Sequence, residues 1–396
     1  MGRIAASYVF VSPDREPLHD AYVELDADGR VVETGICEDV ESEKEFHRGC
    51  AIMPGFVNSH CHVELSHLWK KFRKGTGMAG FIDQINALRD WADAETKTAL
   101  AGKWMDIMWE RGVSAMADIS NDDSSFPVKA EHPMYTRTFL EVFGTEPQDC
   151  GKVIEEVKKL QEVADGYGID AAPTPHSPYT MSPELLTASA ALGLERGFVS
   201  FHSQESCEED EMIAYGVGKM YENRRAAGMS TPPVTGKAAL YYFLDRLQDA
   251  HPAPFDEHIL LVHNVTLTED AAEAALGMMK NVYWALCPLS NIFIHNALPP
   301  VRMMRSMGLN LTIGTDSLSS NDDYDMVAEM RCLQNNFPEI PLREIVGWAT
   351  LGGARFLCAE EILGTLEAGK RPGIVLVDNI NEKGRLTESS TSRRLC

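Results

Sequence analysis

No stretch of the sequence approaches the ~18 uninterrupted apolar residues of a membrane span, so the chain is not expected to cross a bilayer. The N-terminus MGRIAASYVFVSPDRE lacks a basic segment followed by an apolar core, which argues against an export signal and makes the cytoplasm the expected location. Basic residues are in short supply. There are 36 Lys and Arg against 59 Asp and Glu, a formal charge of −23, and a surface of that sign repels nucleic acid and anionic membranes before contact. The nine cysteines form no C-x-x-C pair and are odd in number, so they suit reduced thiols better than a disulfide framework. No period of 20 to 50 residues recurs, which disfavours solenoids and propellers. What remains is a chain of 396 residues, 44% hydrophobic, long enough to bury a large core.

The first fifty residues alternate in short strands, ASYVFVS and AYVELDADGRVVETG, with a turn at Asp28-Gly29. From Ile52 onward, apolar β-rich segments alternate with helical ones, the pattern of repeated β-α units. The strand candidates are GFVNSHCH, SAMADIS, YTRTFLEVF, IDAAPTPH, GFVSFHSQ, HILLVHN, NVYWALCP and LNLTIGTD, about the number that a closed (β/α)8 barrel needs. Helices are predicted over 87–111, 151–165, 183–195, 236–248, 267–279, 323–335 and 342–358. The segment LGTLEAGKRPGIVLVD returns to strand character, so 1–51 and 360–396 are expected to share one β-sandwich around an α/β barrel of residues 52–359. The last stretch, GRLTESSTSRRLC, reads as a mobile tail.

Chemistry gathers at the ends of the strand candidates. His60 and His62 are two apart in a strand, which puts both imidazoles on one face with Cα atoms ~6.6 Å apart and Cys61 on the other. Alone, H-x-H also suits an ordinary structural pair. His202, His263 and Asp316 each close a later strand at the C-terminal edge, where barrel enzymes assemble their sites. His60, His62, His202 and Asp316 supply the neutral imidazoles and the carboxylate that a hydrolytic metal site requires. Glu205, three residues beyond His202, is placed to move a proton without touching the metal. Cys287 reads as packing rather than ligation, Ser290 and Asn291 as residues that fix a loop, and Ser317, Ser319, Ser320 and Asn321 as partners for a following helix start.

The segments PGFVNSHCH, HSPYTMS, FHSQES, LVHN, CPLSN and GTDSLSSN resemble, in order, the motifs of the metal-dependent amidohydrolase superfamily in its aminohydrolase (deaminase) branch. The resemblance covers about residues 4 to 380. It implies a distorted (β/α)8 TIM-type barrel with a small composite β-sandwich from both termini, metal ligation by His60, His62, His202 and Asp316, and catalytic roles for Glu205, His263 and Asp316. No lysine stands where the binuclear members carry a carboxylated bridge, so one divalent ion is expected, zinc first, with Fe2+ or Mn2+ compatible with the same donors. In this scheme Asp316 takes a proton from the attacking water, Glu205 protonates a ring nitrogen, and His263 stabilises the attacking oxygen.

His176, Arg137 and Glu64 are the candidate substrate contacts, the last within HVELSHL together with His67, a loop similar to that of aminofutalosine deaminases. The glutamate that grips ribose in adenosine-type members has no counterpart in GMAGFIDQINALRDW, which offers Asp83 and Gln84. The expected activity is hydrolytic deamination of a small aminated purine, nucleoside or related heterocycle, of aminofutalosine, S-adenosylhomocysteine, methylthioadenosine or guanine type, by a homo-oligomer. Chloro- or alkylamino-triazine hydrolysis is the alternative within enzymes, and a noncatalytic assembly protein is the alternative outside them.

Overall fold

Residues 2–396 are described in a computed structural model. Fourteen strands follow one another along them: β1 (Gly2–Val9), β2 (Leu18–Leu25), β3 (Val31–Ile36), β4 (Phe46–Pro54), β5 (Phe56–Cys61), β6 (Val113–Ser120), β7 (Tyr135–Val142), β8 (Asp170–Pro175), β9 (Phe198–Ser203), β10 (Phe255–His263), β11 (Met279–Leu286), β12 (Leu311–Ile313), β13 (Ile374–Val377) and β14 (Ser392–Arg394).

Both chain ends enter one six-stranded sheet in the order β14-β13-β4-β1-β2-β3. Alternation assigns its two faces. Ile52, Ile374 and Leu376 close a small core with Val9, Ala21 and Val23, while their neighbours Ala51, Met53, Val375 and Val377 turn to the main core of the molecule. The tail read as mobile is part of this sheet. Arg394 lies over the Trp109 ring at 3.6 Å and donates to the Trp109 carbonyl, and Ser390 is buried with its hydroxyl on the Asn379 carbonyl. Polar composition gave no sign of these distant partners.

The remaining eight strands form two parallel four-stranded sheets, β5-β6-β7-β8 and β12-β11-β10-β9, which meet at two seams. At one seam Thr315 N and Asp316 N both donate to the His60 carbonyl, and Cys61 bridges Asp316 in parallel. The contact is tight enough to demand Gly314, where a Cβ would fall 2.7 Å from the His60 carbonyl oxygen. At the other seam Pro173 and Pro175 have no N–H to give. Thr174 supplies a side-chain substitute: its hydroxyl accepts from Ser200 N at 2.8 Å and donates to Ser200 O at 2.6 Å. Beyond it, His202 N donates to the His176 carbonyl at 2.9 Å.

Helices link the strands, and none is long and apolar enough to cross a membrane. The helix expected over 87–111 runs over Ala94–Glu110, started by Asp93, which accepts from Thr96 N, and a separate helix, Gly77–Leu88, precedes it and was not expected. Helices Cys150–Gly166, Pro183–Glu195, Ala239–Ala250, Glu269–Met278 and Met326–Asn336 lie close to their expected positions. The short helices Cys207–Tyr215, Lys219–Ala226 and Pro288–His295 have no counterpart in the sequence reading, being too brief to show a period.

Candidate active site

The inward face of β5 is decided by an irregularity. Val57 packs inside the barrel with Ala115, Ala117 and Phe139, yet Cys61, of the same parity, packs on the outer side and meets Asp118. The register with β6 shifts between Asn58 and Cys61, and this bulge reverses the alternation. His60 and His62 therefore turn inward, with Nε2 atoms 3.2 Å apart. A nitrogen of each and one of His202 lie within 4.8 Å of one another. His202 spends Nδ1 on the His176 carbonyl at 3.2 Å and faces Glu141 Oε1 at 3.4 Å on the same edge, which leaves Nε2 for the cavity.

Asp316 completes the group in a left-handed backbone conformation, φ 57°, that holds its side chain inward. Its Oδ2 accepts from Ser290 and Ser320, both at 2.6 Å, while Oδ1 stands 3.6 Å from His60 Nε2 and 3.4 Å from His62 Nε2. Burial alone would raise this carboxyl, but the surrounding imidazoles outweigh it and hold it well below the usual carboxylate range. Burial pushes His62 and His202 well below the ordinary imidazole range, so both are neutral. Three imidazole nitrogens and one carboxylate oxygen converge, and the outer edges of His202 and Asp316 are already tied. This donor set fits a divalent cation. Of the serines expected at a helix start, Ser320 holds Asp316 instead, because the next helix begins at Met326 under its own cap, Asp325.

Glu205 faces the clamp from the segment after β9. Burial, and then the charge of Asp316, push its carboxyl up to about 8 despite the hydrogen bond from Tyr179 to Oε2 at 3.1 Å. Its Oε1 lies 3.5 Å from His263 Nε2. Parity would direct His263 outward with Ile259 and Leu261, but φ 74° swings the ring into the cavity. Its Nδ1 lies 2.9 Å from Asn291 Oδ1, so in the neutral ring Nδ1 donates and Nε2 accepts. Burial lowers this imidazole to about 4, which keeps it neutral.

Buried glutamates hold the loops that carry these groups. Glu209 accepts from the backbone N–H of Gln204 and Glu205, and Glu329 from Leu289 N and the Asn321 amide. Glu64 does the same for Asn121 N at 2.8 Å and Asp122 N at 3.3 Å. It is thus turned into a loop and does not line the cavity, contrary to its expected place as a substrate contact. Arg137 is set aside for a different reason. It shares the inward face of β7 with Phe139 and Glu141 but lies at the opposite end of the strand, paired with Asp170 at 2.7 Å and stacked 3.6 Å from Phe198. His176 does line the cavity, its ring stacked on His202 at 4.5 Å.

The sequence reading passed over Tyr179, Asn121, Glu141 and Arg89, which all face this cavity. So do Met78, Phe81, Ile82 and Ile85 of helix Gly77–Leu88. Their spacing of three, four and seven, continued at Arg89, was the available signal. Asp83 is exposed and Gln84 accepts from Arg73 N, so neither takes the place of the missing ribose contact.

In comparison with known proteins, the Amidohydrolase family profile matches residues 51–393. The chain belongs to the amidohydrolase family. One family relative, the 5-methylthioadenosine/S-adenosylhomocysteine deaminase of Moorella thermoacetica, is 36% identical over 352 residues, covering 82% of this chain and 73% of its own length. The aminofutalosine deaminase of Helicobacter pylori, solved with methylthio-coformycin, superposes with a TM-score of 0.78 over 100% of both chains at 22% identity. A zinc-bound adenosine deaminase from Xanthomonas campestris gives 0.69 at 22% identity, over 95% of this chain and 84% of its own. These likenesses place the amidohydrolase barrel and its accompanying sheet among known folds.

Proposed function

We propose that this amidohydrolase is a mononuclear metal-dependent aminohydrolase that replaces the exocyclic amino group of a purine-type ring by oxygen and releases ammonia. The observation that carries the reading is the opposition of two sets of groups across one cavity. His60, His62, His202 and Asp316 converge on one side, and a Glu205 carboxyl held protonated by burial stands on the other. His60, His62, His202 and Asp316 would hold the ion, with zinc favoured by the nitrogen-rich donor set and by its presence in a solved protein of the same fold. When bound, the ion supplies Lewis acidity that makes water a nucleophile at neutral pH.

The chain's own groups then have defined work. Asp316 Oδ1 is the ionised carboxylate positioned to take a proton from the attacking water. Glu205, protonated below about pH 8, gives its proton to the ring nitrogen beside the carbon under attack, with Tyr179 fixing its other oxygen. His263 acts through an accepting Nε2, so it orients the water O–H and becomes a donor to the developing oxyanion only after gaining a proton. His176 stacks over His202 and offers the substrate a ring edge. Water and the amine carbon exchange one C–N bond for one C–O bond, and the protons from water leave on ammonia and the ring nitrogen.

Ammonia release from a panel of aminated purines and their nucleosides tests the reading, with Glu205→Gln as the control. That variant is expected to keep stoichiometric metal and lose turnover by roughly 10²- to 10⁴-fold. A metal-loaded wild-type protein that releases no ammonia from any member, or a Glu205→Gln protein as active as wild type, would overturn it.

A further inference from the structure

A second group of metal-binding side chains stands at the floor of the barrel, where Arg137 also lies. His258 precedes His263 on β10 by about 16 Å of strand and shares the inward parity of Leu260 and Val262. The Phe198 ring on β9 is centred 5.2 Å from its ring, and the Tyr283 ring on β11 5.7 Å from it at an angle of 15°. These strands flank β10 on opposite sides, so both faces of the imidazole are covered and its edge is what remains. Cys358 Sγ stands at that edge, 3.4 Å from Nε2 and 3.8 Å from Nδ1.

The backbone fixes the sulfur there. Cys358 N donates to Arg355 O at 3.2 Å and Ala359 N to Ala354 O at 2.8 Å, which closes helix Gly353–Phe356 with a Schellman turn. The left-handed position of such a turn favours glycine, yet here, at φ 55°, it carries a thiol. In a tetrahedral zinc site with Zn–S about 2.3 Å and Zn–N about 2.0 Å, the two ligand atoms lie about 3.5 Å apart, so this pair already has the spacing of two ligands. The Phe356 carbonyl accepts from the ring, which leaves the other nitrogen its lone pair. Glu360 acts electrostatically on both groups, and its Oε2 is buried with no hydrogen-bond partner among the described residues. Arg137 opposes a cation here, but Asp170 at 2.7 Å already meets its charge. Cys358 is exposed and lines a cavity between the composite sheet and the barrel floor, so an ion has a way in.

We propose that Cys358 and His258, with Glu360 as a third donor, form a second cation site for a thiophilic divalent ion of the zinc class, separate from the clamp at the strand tips. Binding displaces the thiol proton to solvent, because burial keeps the imidazole low and the thiol high and the pair is otherwise uncharged. His258 belongs to the barrel, whereas Cys358 and Glu360 belong to the connection that leads to β13, so the ion fastens the composite sheet's return strand to the barrel floor. Its role is stability, not turnover.

Cobalt(II) titration of chelator-stripped, phosphine-reduced protein tests the site, because a thiolate ligand gives an intense near-ultraviolet charge-transfer band that the nitrogen and oxygen donors of the clamp cannot give. Wild-type protein is expected to show the band, and Cys358→Ser to lose it and to retain one ion fewer per chain in equilibrium dialysis against zinc with elemental analysis. His258→Phe, which keeps the aromatic stack, is expected to weaken cobalt binding at the sulfur band by roughly tenfold or more. Circular dichroism of each variant confirms that it is folded. No sulfur band at saturating cobalt, or a band that survives Cys358→Ser, overturns the site. A band lost in Cys358→Ser but unchanged in affinity in His258→Phe overturns the pair and leaves an adventitious thiol. None of these readings depends on ammonia release, so the site stands or falls apart from the proposed reaction.

Discussion

Glu205 is where burial is converted into chemistry. A carboxyl in water is ionised at neutral pH, but inside this cavity the charged form is penalised and the titration moves up to about 8. Because the required form is the protonated one and the folded value is raised, kcat/KM is expected to hold at lower pH on this account and to fall as pH rises through about 8. A profile that stays level to pH 10 would remove Glu205 as the proton donor. The candidate metal ligands were legible because H-x-H and the strand-tip His and Asp are types with few other uses in such positions. The side of the barrel they face was not, since it depends on the bulge between Asn58 and Cys61 and on the positive φ of His263, neither of which leaves a mark in composition. Arg137 shows the converse: parity predicts its inward face, but only its place near the start of β7 shows that it lies at the wrong end.

Between elements, the supports of the site are long-range pairs. Lys129, from helix Phe126–Glu131, reaches the carboxylate of Asp118 on β6, and both side chains are fully enclosed. The other Asp118 oxygen accepts from Val63 N at 2.8 Å, the residue directly after His62, so this pair anchors the first strand tip. Removing one partner leaves a buried charge uncompensated. Lys129→Met is expected to lower unfolding stability by about 3–5 kcal/mol, and combining it with Asp118→Asn to recover most of that loss, both read by denaturant titration. Equal destabilisation in the single and double variants would assign the effect to packing. Sequence revealed the major helices through their period, but the helix expected over 87–111 begins only at Ala94 behind its cap Asp93, and Gly77–Leu88, which lies almost wholly before that range, went unread, and with it the cavity wall.

At the scale of the molecule, the cation clamp draws on both half-barrels. His60 and His62 come from β5, His202 from β9, and Asp316 from just beyond β12, so a bound ion ties the sheet of β5 to that of β9 and β12. Such a site is absent from the unfolded chain. Metal is expected to raise the unfolding free energy by about 2.7 kcal/mol at one hundred times its Kd and to make Tm climb with the logarithm of free ion. Scanning calorimetry across a zinc buffer series checks this, and an identical Tm in chelator and in excess zinc would exclude ligation by both halves. The α/β alternation and the return to strand near the C-terminus were visible in sequence, whereas the pairing of β13 with β4 joins segments more than three hundred residues apart and shows only in three dimensions.

That pairing sets a timetable for synthesis. As the ribosome extrudes the chain, β4 emerges with one edge covered by β1, and its other edge stays bare until β13 arrives some 320 residues later. β5 waits some 255 residues for the segment around Asp316. A nascent polypeptide with two open strand edges is prone to intermolecular pairing, so dependence on chaperones during translation is written into the order in which these strands are made.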